Sequence, residues 1–167
     1  MYKRQAYDYT NENDASVWAD LASNLRDVDV LLFNQPIYGA FQGFAQDLFR
    51  PAANRSGWDP RPGEGHMDAL LRSTVLSQAG NYGDTEVLSE AKDRFLRYLE
   101  EPESLHPDLR GVAFSLAGQA GDRTTYDQLW KVQSETTLQE EKIRLLMALT
   151  RFNQPELLTE TLERSIS

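Results

Sequence analysis

Apolar residues recur at intervals of three and four along almost the whole chain, and each run is soon cut by Gly, Pro, Asn or Asp. This pattern constrains the fold more than any other feature. Side chains at i, i+3, i+4 and i+7 share one face of a helix, whereas a half-buried strand needs strict alternation. The first stripe is Trp18, Leu21, Leu25, Val28 and Leu32, at spacings of 3, 4, 3 and 4. Asn13 or Asp14 is placed to cap it. Asn34-Gln35-Pro36 ends it, with Pro36 expected in the first turn of the next helix. That second helix carries Ile37, Phe41, Phe44, Leu48 and Ala52, and Pro51 should kink or terminate it.

A polar connector rich in Pro and Gly follows, from Asn54 to Gly65. A third helix is expected from about Glu64, with Met67, Leu70, Leu71, Thr74 and Val75 on its apolar face. Gly80 or Asn81 would take the left-handed cap. Asp84 caps a fourth helix with Leu88, Ala91, Phe95, Tyr98 and Leu99. Pro107 opens a fifth, which Gly121-Asp122 stops while capping a sixth around Tyr126, Leu129 and Trp130. Thr136 or Thr137 begins a seventh, Thr137 to Glu140 having capping-box spacing. Asn153-Gln154-Pro155 repeats the earlier break before a last helix with Leu158, Leu162 and Ile166.

No run reads as a strand, so the fold class is all-α, with about eight helices. Gly83-Asp84 and Gly121-Asp122 lie 38 residues apart and enclose two helices, a spacing near that of HEAT and armadillo arrays. The favoured architecture is a right-handed superhelix of antiparallel helix pairs, HEAT/armadillo-like. A compact bundle is the alternative. Residues 1–12 show no period and are expected to be extended or poorly ordered, leaving 13–167 as one superhelical domain. The apolar stripes of the first and last helices make self-association through end helices an expectation.

The composition excludes several functions. With no Cys and two His in 167 residues, disulfides, zinc fingers and thiolate nucleophiles are ruled out. The net charge of −9 argues against nucleic acid as a partner. No apolar run approaches a membrane span, no secretory signal follows Lys3-Arg4, and a cytoplasmic location is expected. The sequon Asn54-Arg55-Ser56 is a single match to a short pattern. H-E-x-x-H, G-x-S-x-G and phosphate-loop motifs are missing. Glu64, His66 and Asp68 are close in sequence, but residues two apart on a helix do not face each other, so a joint cation site would need an irregular helix start. His106 is read as a loop residue before Pro107. Tyr38, Phe41, Phe44 and Phe49 are read as core, and Glu140-Glu141-Lys142 as helix surface. By its own residues the chain is a helical scaffold or interaction domain with no catalytic residues.

One stretch is more specific. Residues 54–72, NRSGWDPRPGEGHMDALLR, contain a Gly-Trp, a Pro/Gly connector, an acidic residue and a Leu-Leu-Arg helix in that order. Ala91-Lys92-Asp93-Arg94-Phe95, then Asp108-Leu109-Arg110 with Val112, then Glu140-Glu141-Lys142 and the terminal Leu162 to Ser167 follow. Together with Val17-Trp18, this ordered set resembles the C-terminal helical domain of gluzincin zinc aminopeptidases of the puromycin-sensitive type. The resemblance implies a superhelix that walls or closes the peptide chamber of an enzyme removing N-terminal residues from peptides. Zinc would belong to that enzyme's catalytic domain, with no cofactor in this chain. The implied partners are the missing catalytic domain and its peptide substrate. On such a wall Arg72 and Arg110 are the substrate-binding candidates, Arg72 through a bidentate grip on a carboxylate. Pairing of Arg72 with Asp68, four residues earlier, is the competing role. A free-standing helical-repeat adaptor is the alternative function.

Overall fold

The computed structural model describes Tyr9 and residues 12–166. The expectation for residues 1–12 therefore falls almost wholly outside the described residues. Eight α-helices are present among the described residues: α1 (Ala15–Leu32), α2 (Tyr38–Ser56), α3 (His66–Asn81), α4 (Thr85–Glu100), α5 (Pro107–Gln119), α6 (Arg123–Glu135), α7 (Gln139–Leu149) and α8 (Pro155–Ser165). A single 3-10 turn, Pro102–Ser104, lies between α4 and α5. The described residues contain no strand. The chain is all-α, as the periodicity requires.

The chain divides into two compact units, residues 1–84 and 85–167. In the first, α3 packs on both α1 and α2. Asp14 caps α1 by accepting the Ser16 N–H. Trp18, Leu48, Phe49, Val75 and Leu76 form the centre, with almost no exposed surface. Aromatic rings tie the helices together: Trp18 lies 5.4 Å from Phe49, and Tyr82 lies 5.8 Å from Phe41 and 6.2 Å from Phe49. In the second unit α5 packs on α4 and α7, and α7 also packs on α6. Tyr98 and Phe114 meet at 5.0 Å, and Tyr126 and Phe152 at 5.3 Å. Each unit thus stacks helices on the next and on the next but one. This is how arrays of helix pairs bury a face that one pair leaves open.

Several local expectations are corrected. Pro36 is not in the first turn of α2. Asn34 enters the left-handed region at φ 65°, Tyr38 N–H bonds to Gln35 O, and the helix starts at Tyr38. Pro51 does not end α2, which continues to Ser56. The left-handed residue after α3 is Gly83, at φ 89°, while Gly80 is buried inside the helix. The Thr137 capping box does not form. Thr136 Oγ1 accepts the Leu138 N–H, and α7 starts at Gln139 with Leu138 as its cap residue, one residue later than the box requires.

The 38-residue repeat holds, but its two glycines are needed for different reasons. Gly83 supplies the positive φ. Gly121 supplies space: a Cβ there would lie 2.6 Å from Ala117 O and 2.9 Å from Phe152. Neighbouring Gly118 is tighter still, at 2.5 Å from Ala148 O. α5 and α7 therefore approach backbone to backbone. The turn after α7 then completes α5, since Asn153 donates to Gln119 O and Gln154 to Gly121 O, both at 3.1 Å. α8 is held by Thr161, whose hydroxyl lies 3.1 Å from the Tyr126 hydroxyl.

Apolar side chains remain exposed at the C-terminal end of α1 (Val30, Leu31, Phe33) and on α7 and α8 (Ile143, Met147, Leu162). No helix among the described residues is long and apolar enough to cross a membrane.

Candidate functional site

The connector between α2 and α3 is where the polar chemistry of the first unit gathers. α2 ends with unsatisfied carbonyls, as every helix does. Gly57 turns the chain away at φ 62°. The carbonyls of Ser56 and Gly57 then accept from Arg72 Nε, at 3.3 and 3.2 Å, and the Arg55 carbonyl accepts from Arg61 Nη2 at 2.5 Å. Arg72 Nη2 also donates to Glu64 Oε2 at 2.5 Å. Glu64 Oε2 takes the Arg61 N–H as well, at 2.9 Å. The hydrogen bond from Arg72, and after it the one from the Arg61 backbone, hold the Glu64 carboxyl below its ordinary value.

Arg72 is therefore 2% exposed, on the face of α3 that packs inward. The apolar stripe expected for this helix is displaced: Met67 and Leu70 are 51% and 44% exposed, and Val75, Leu76 and Ala79 are the buried set. The bond Arg72 makes is to Glu64 rather than to Asp68. Asp68 instead accepts the Gly65 N–H at 2.8 Å and closes the start of α3. Beside this network lies a cleft of about 210 Å³ lined by Asn13, Arg55, Arg61, Glu64, Asp68 and Arg72, with Ala52 and Leu71 as its apolar part.

In the second unit Arg110 occupies a similar position one turn into α5. Its Nε donates to Leu105 O and its Nη2 to Pro102 O, both at 3.3 Å. Nη1 lies 3.1 Å from Glu141 Oε1, and the guanidinium sits 5.3 Å above the Tyr98 ring. Glu141 is 5% exposed and also meets Arg144 at 3.3 Å. Its Oε2 is buried without a hydrogen-bond partner among the described residues. The reading of Glu140-Glu141-Lys142 as plain surface is thus corrected: Glu140 is exposed, and Glu141 points inward because Arg110 is there to meet it. Local pattern carries no sign of this pair, which spans 31 residues.

Glu64, His66 and Asp68 do not gather. Glu64 serves Arg72, Asp68 serves Gly65, and His66 is an exposed first residue of α3. His106 Nδ1 accepts the Asp108 N–H at 3.3 Å and caps α5. Among the described residues no three His, Asp or Glu side chains come together as a metal site. The donors present here do not fit the zinc of an aminopeptidase, which needs three converging protein ligands.

A family model described as ERAP1-like C-terminal domain matches residues 5–167. The chain is 37% identical over 134 residues to Aminopeptidase M1-A of Oryza sativa subsp. japonica, covering 77% of this chain and 15% of the relative. It is 34% identical over 139 residues to Aminopeptidase M1 of Arabidopsis thaliana, covering 80% and 16%. A match to Glutamyl aminopeptidase of Sus scrofa, at 30% over 131 residues, covers 78% and 14%. The chain thus spans about one sixth of the length of such relatives. The chain belongs to the ERAP1-like C-terminal domain family, the helical C-terminal domain of M1 aminopeptidases.

Proposed function

We propose that this chain is a non-catalytic portion of an aminopeptidase, forming a wall or lid of the chamber in which peptides lose their N-terminal residues. The family match over residues 5–167 carries this reading. The stacked helix pairs support it, because such stacks present long rows of helix faces suited to lining a chamber. In this proposal the catalytic zinc and its ligands belong to other polypeptide of the same enzyme, in a reducing cytoplasm. A helical domain closing over that centre would exclude water and gate peptide entry. Arg72 and Arg110 would contribute to peptide contact only through donors left over from their internal bonds. The apolar residues exposed on α1, α7 and α8 would seat neighbouring polypeptide, or a second copy where that is missing.

The test compares the product of the complete native reading frame with the 167-residue chain on an aminoacyl reporter. Metal-dependent release by the former and none by the latter is expected. Turnover by the chain alone that survives repurification and follows the folded protein overturns the proposal. So does a complete product without aminopeptidase activity.

A further inference from the structure

We infer that the corner where α1 turns into α2, formed by Asp29, Phe33 and Tyr38, is a docking site for an arginine side chain of a partner polypeptide. This gives the apolar end of α1 a specific partner chemistry, and it stands apart from the chamber role proposed above.

The end of one helix and the start of the next bring these three side chains together. Phe33 closes α1 by donating its N–H to Asp29 O at 2.9 Å. Asn34 then turns the chain through the left-handed region, and Tyr38 returns beside them. The Tyr38 hydroxyl donates to Asp29 Oδ1 at 3.0 Å, and its ring stands across Phe33 at 5.6 Å and 82°. Phe41 lies 6.4 Å from Tyr38, and Tyr82 lies 5.8 Å from Phe41. Phe41 and Tyr82 are buried, so packed rings back Tyr38, whereas Phe33 is 58% exposed. Two perpendicular rings and a carboxylate therefore meet at the surface.

The charge at this corner is unmatched. Asp29 makes no ion pair, and its Oδ2 has no partner, among the described residues. α1 has no basic residue in its last turn, so its negative end, worth roughly half a charge, adds to Asp29. Arg26, one turn earlier, makes no ion pair among the described residues and is matched in charge by its neighbour Asp27. Asp29 also acts on Tyr82, whose hydroxyl is pushed up to about 12, first by burial and then by that charge. Residues 33–46 carry no charge, and Val30, Leu31 and Ile37 are exposed nearby.

These features select among cations. A divalent metal ion takes about six oxygen ligands, which one carboxylate cannot supply. A lysine ammonium is strongly hydrated and has no flat face to lay on a ring. A guanidinium can fork its N–H donors onto Asp29 and stack on the open face of Phe33. A small free guanidinium would leave Val30, Leu31 and Ile37 uncovered, whereas an arginine flanked by aliphatic residues covers them. The net charge of −9 favours the approach of such a basic segment.

The test titrates the 167-residue chain with acetyl-leucyl-arginyl-leucine amide, with the same peptide carrying citrulline or lysine at its centre, and with ethylguanidinium. Both peptide ends are blocked, so no free amine or carboxylate contributes. Calorimetry and the ring resonances of Phe33 and Tyr38 report binding. The arginine peptide is expected to saturate the site below about 10 mM. Citrulline, which is neutral, should bind at least about tenfold more weakly, and lysine should fall between the two. Asp29→Asn keeps an acceptor for Tyr38 and removes the charge; it should weaken binding about tenfold. Phe33→Ala should weaken it about threefold. A circular-dichroism melt confirms that each variant is folded, and Asp29→Asn alone decides if Phe33→Ala is not. The inference is overturned by no saturation at about 10 mM peptide, by equal affinity for arginine and citrulline, or by binding unchanged in Asp29→Asn. A lysine peptide that binds more tightly than the arginine one overturns the choice of guanidinium. Ethylguanidinium binding as tightly as the peptide overturns the choice of a polypeptide partner.

Discussion

Arg72 and Arg110 hold two different kinds of hub. Each guanidinium reaches backbone carbonyls and one glutamate, and each sits on a helix that packs inward. Arg72 finds its partner eight residues away, in the connector that leads into its own helix. Arg110 finds its partner 31 residues away, on α7. The first clamps a local chain reversal. The second joins two helices that the chain brings together only once the unit has folded. A buried charge is tolerated in both because every such group must be paired or be very costly.

The largest effect that would break this comparison is loss of Arg72. Arg72→Ala leaves the α2 carbonyls and the Glu64 carboxylate without their donor, and should cost about 4 kcal/mol in urea unfolding. If the loss is below about 1 kcal/mol, Arg72 is not the clamp described. Glu141→Ala should cost nearly as much, about 3 kcal/mol, by leaving the buried Arg110 without its carboxylate. A double-mutant cycle with Arg110→Ala should recover most of that loss, since both ends of the pair are then gone.

Gly118→Ala sets two effects against each other. Alanine is favoured in a helix by about 1 kcal/mol. Its Cβ would lie 2.5 Å from Ala148 O, and backbone cannot yield as a flexible side chain does. Overpacking of this kind costs about 1–3 kcal/mol, so net destabilisation and a lower Tm are expected. A Tm that rises would mean that α5 and α7 are farther apart than described.

Acidification sharpens the contrast through Glu64. Its carboxyl is held below the ordinary value of 4.5, first by the Arg72 hydrogen bond. A depressed folded-state value stabilises the fold above the unfolded value, and this is lost as pH falls through the folded one. The stability gap between wild type and Glu64→Gln should therefore be full at neutral pH and shrink below about pH 4.5. A gap that does not change with pH would show that the charge of Glu64 plays no part. The smallest effect belongs to Glu140→Gln. Its exposed bond to Arg144 is a surface i,i+4 pair, and the change should stay below about 0.5 kcal/mol.

The clearest parts of the fold to read from residues were those with local causes. Asp14 and Asp122 accept N–H groups within their own first turns, and Pro107 and Pro155 open helices. The failures share a different cause. Thr137 has the right spacing for a capping box, but the helix starts one residue later and Leu138 occupies the cap position. Met67 and Leu70 look like a core stripe, but the face of α3 that meets α1 and α2 is the one carrying Arg72. Arg72 and Arg110 stand out as arginines on helices. Their partners do not, because a carboxylate's burial depends on which helix lies across from it.

Sequence alone determined that this chain is helical, where most helices begin and stop, and which family it resembles. Those properties follow from hydrogen bonds and side-chain spacings within one or two turns. Tertiary structure decided which glycine needs a positive φ and which needs space, that Glu141 and not Glu140 turns inward, and that three arginines share one cleft. Each of these depends on atoms brought close by folding, and distance along the chain does not encode it.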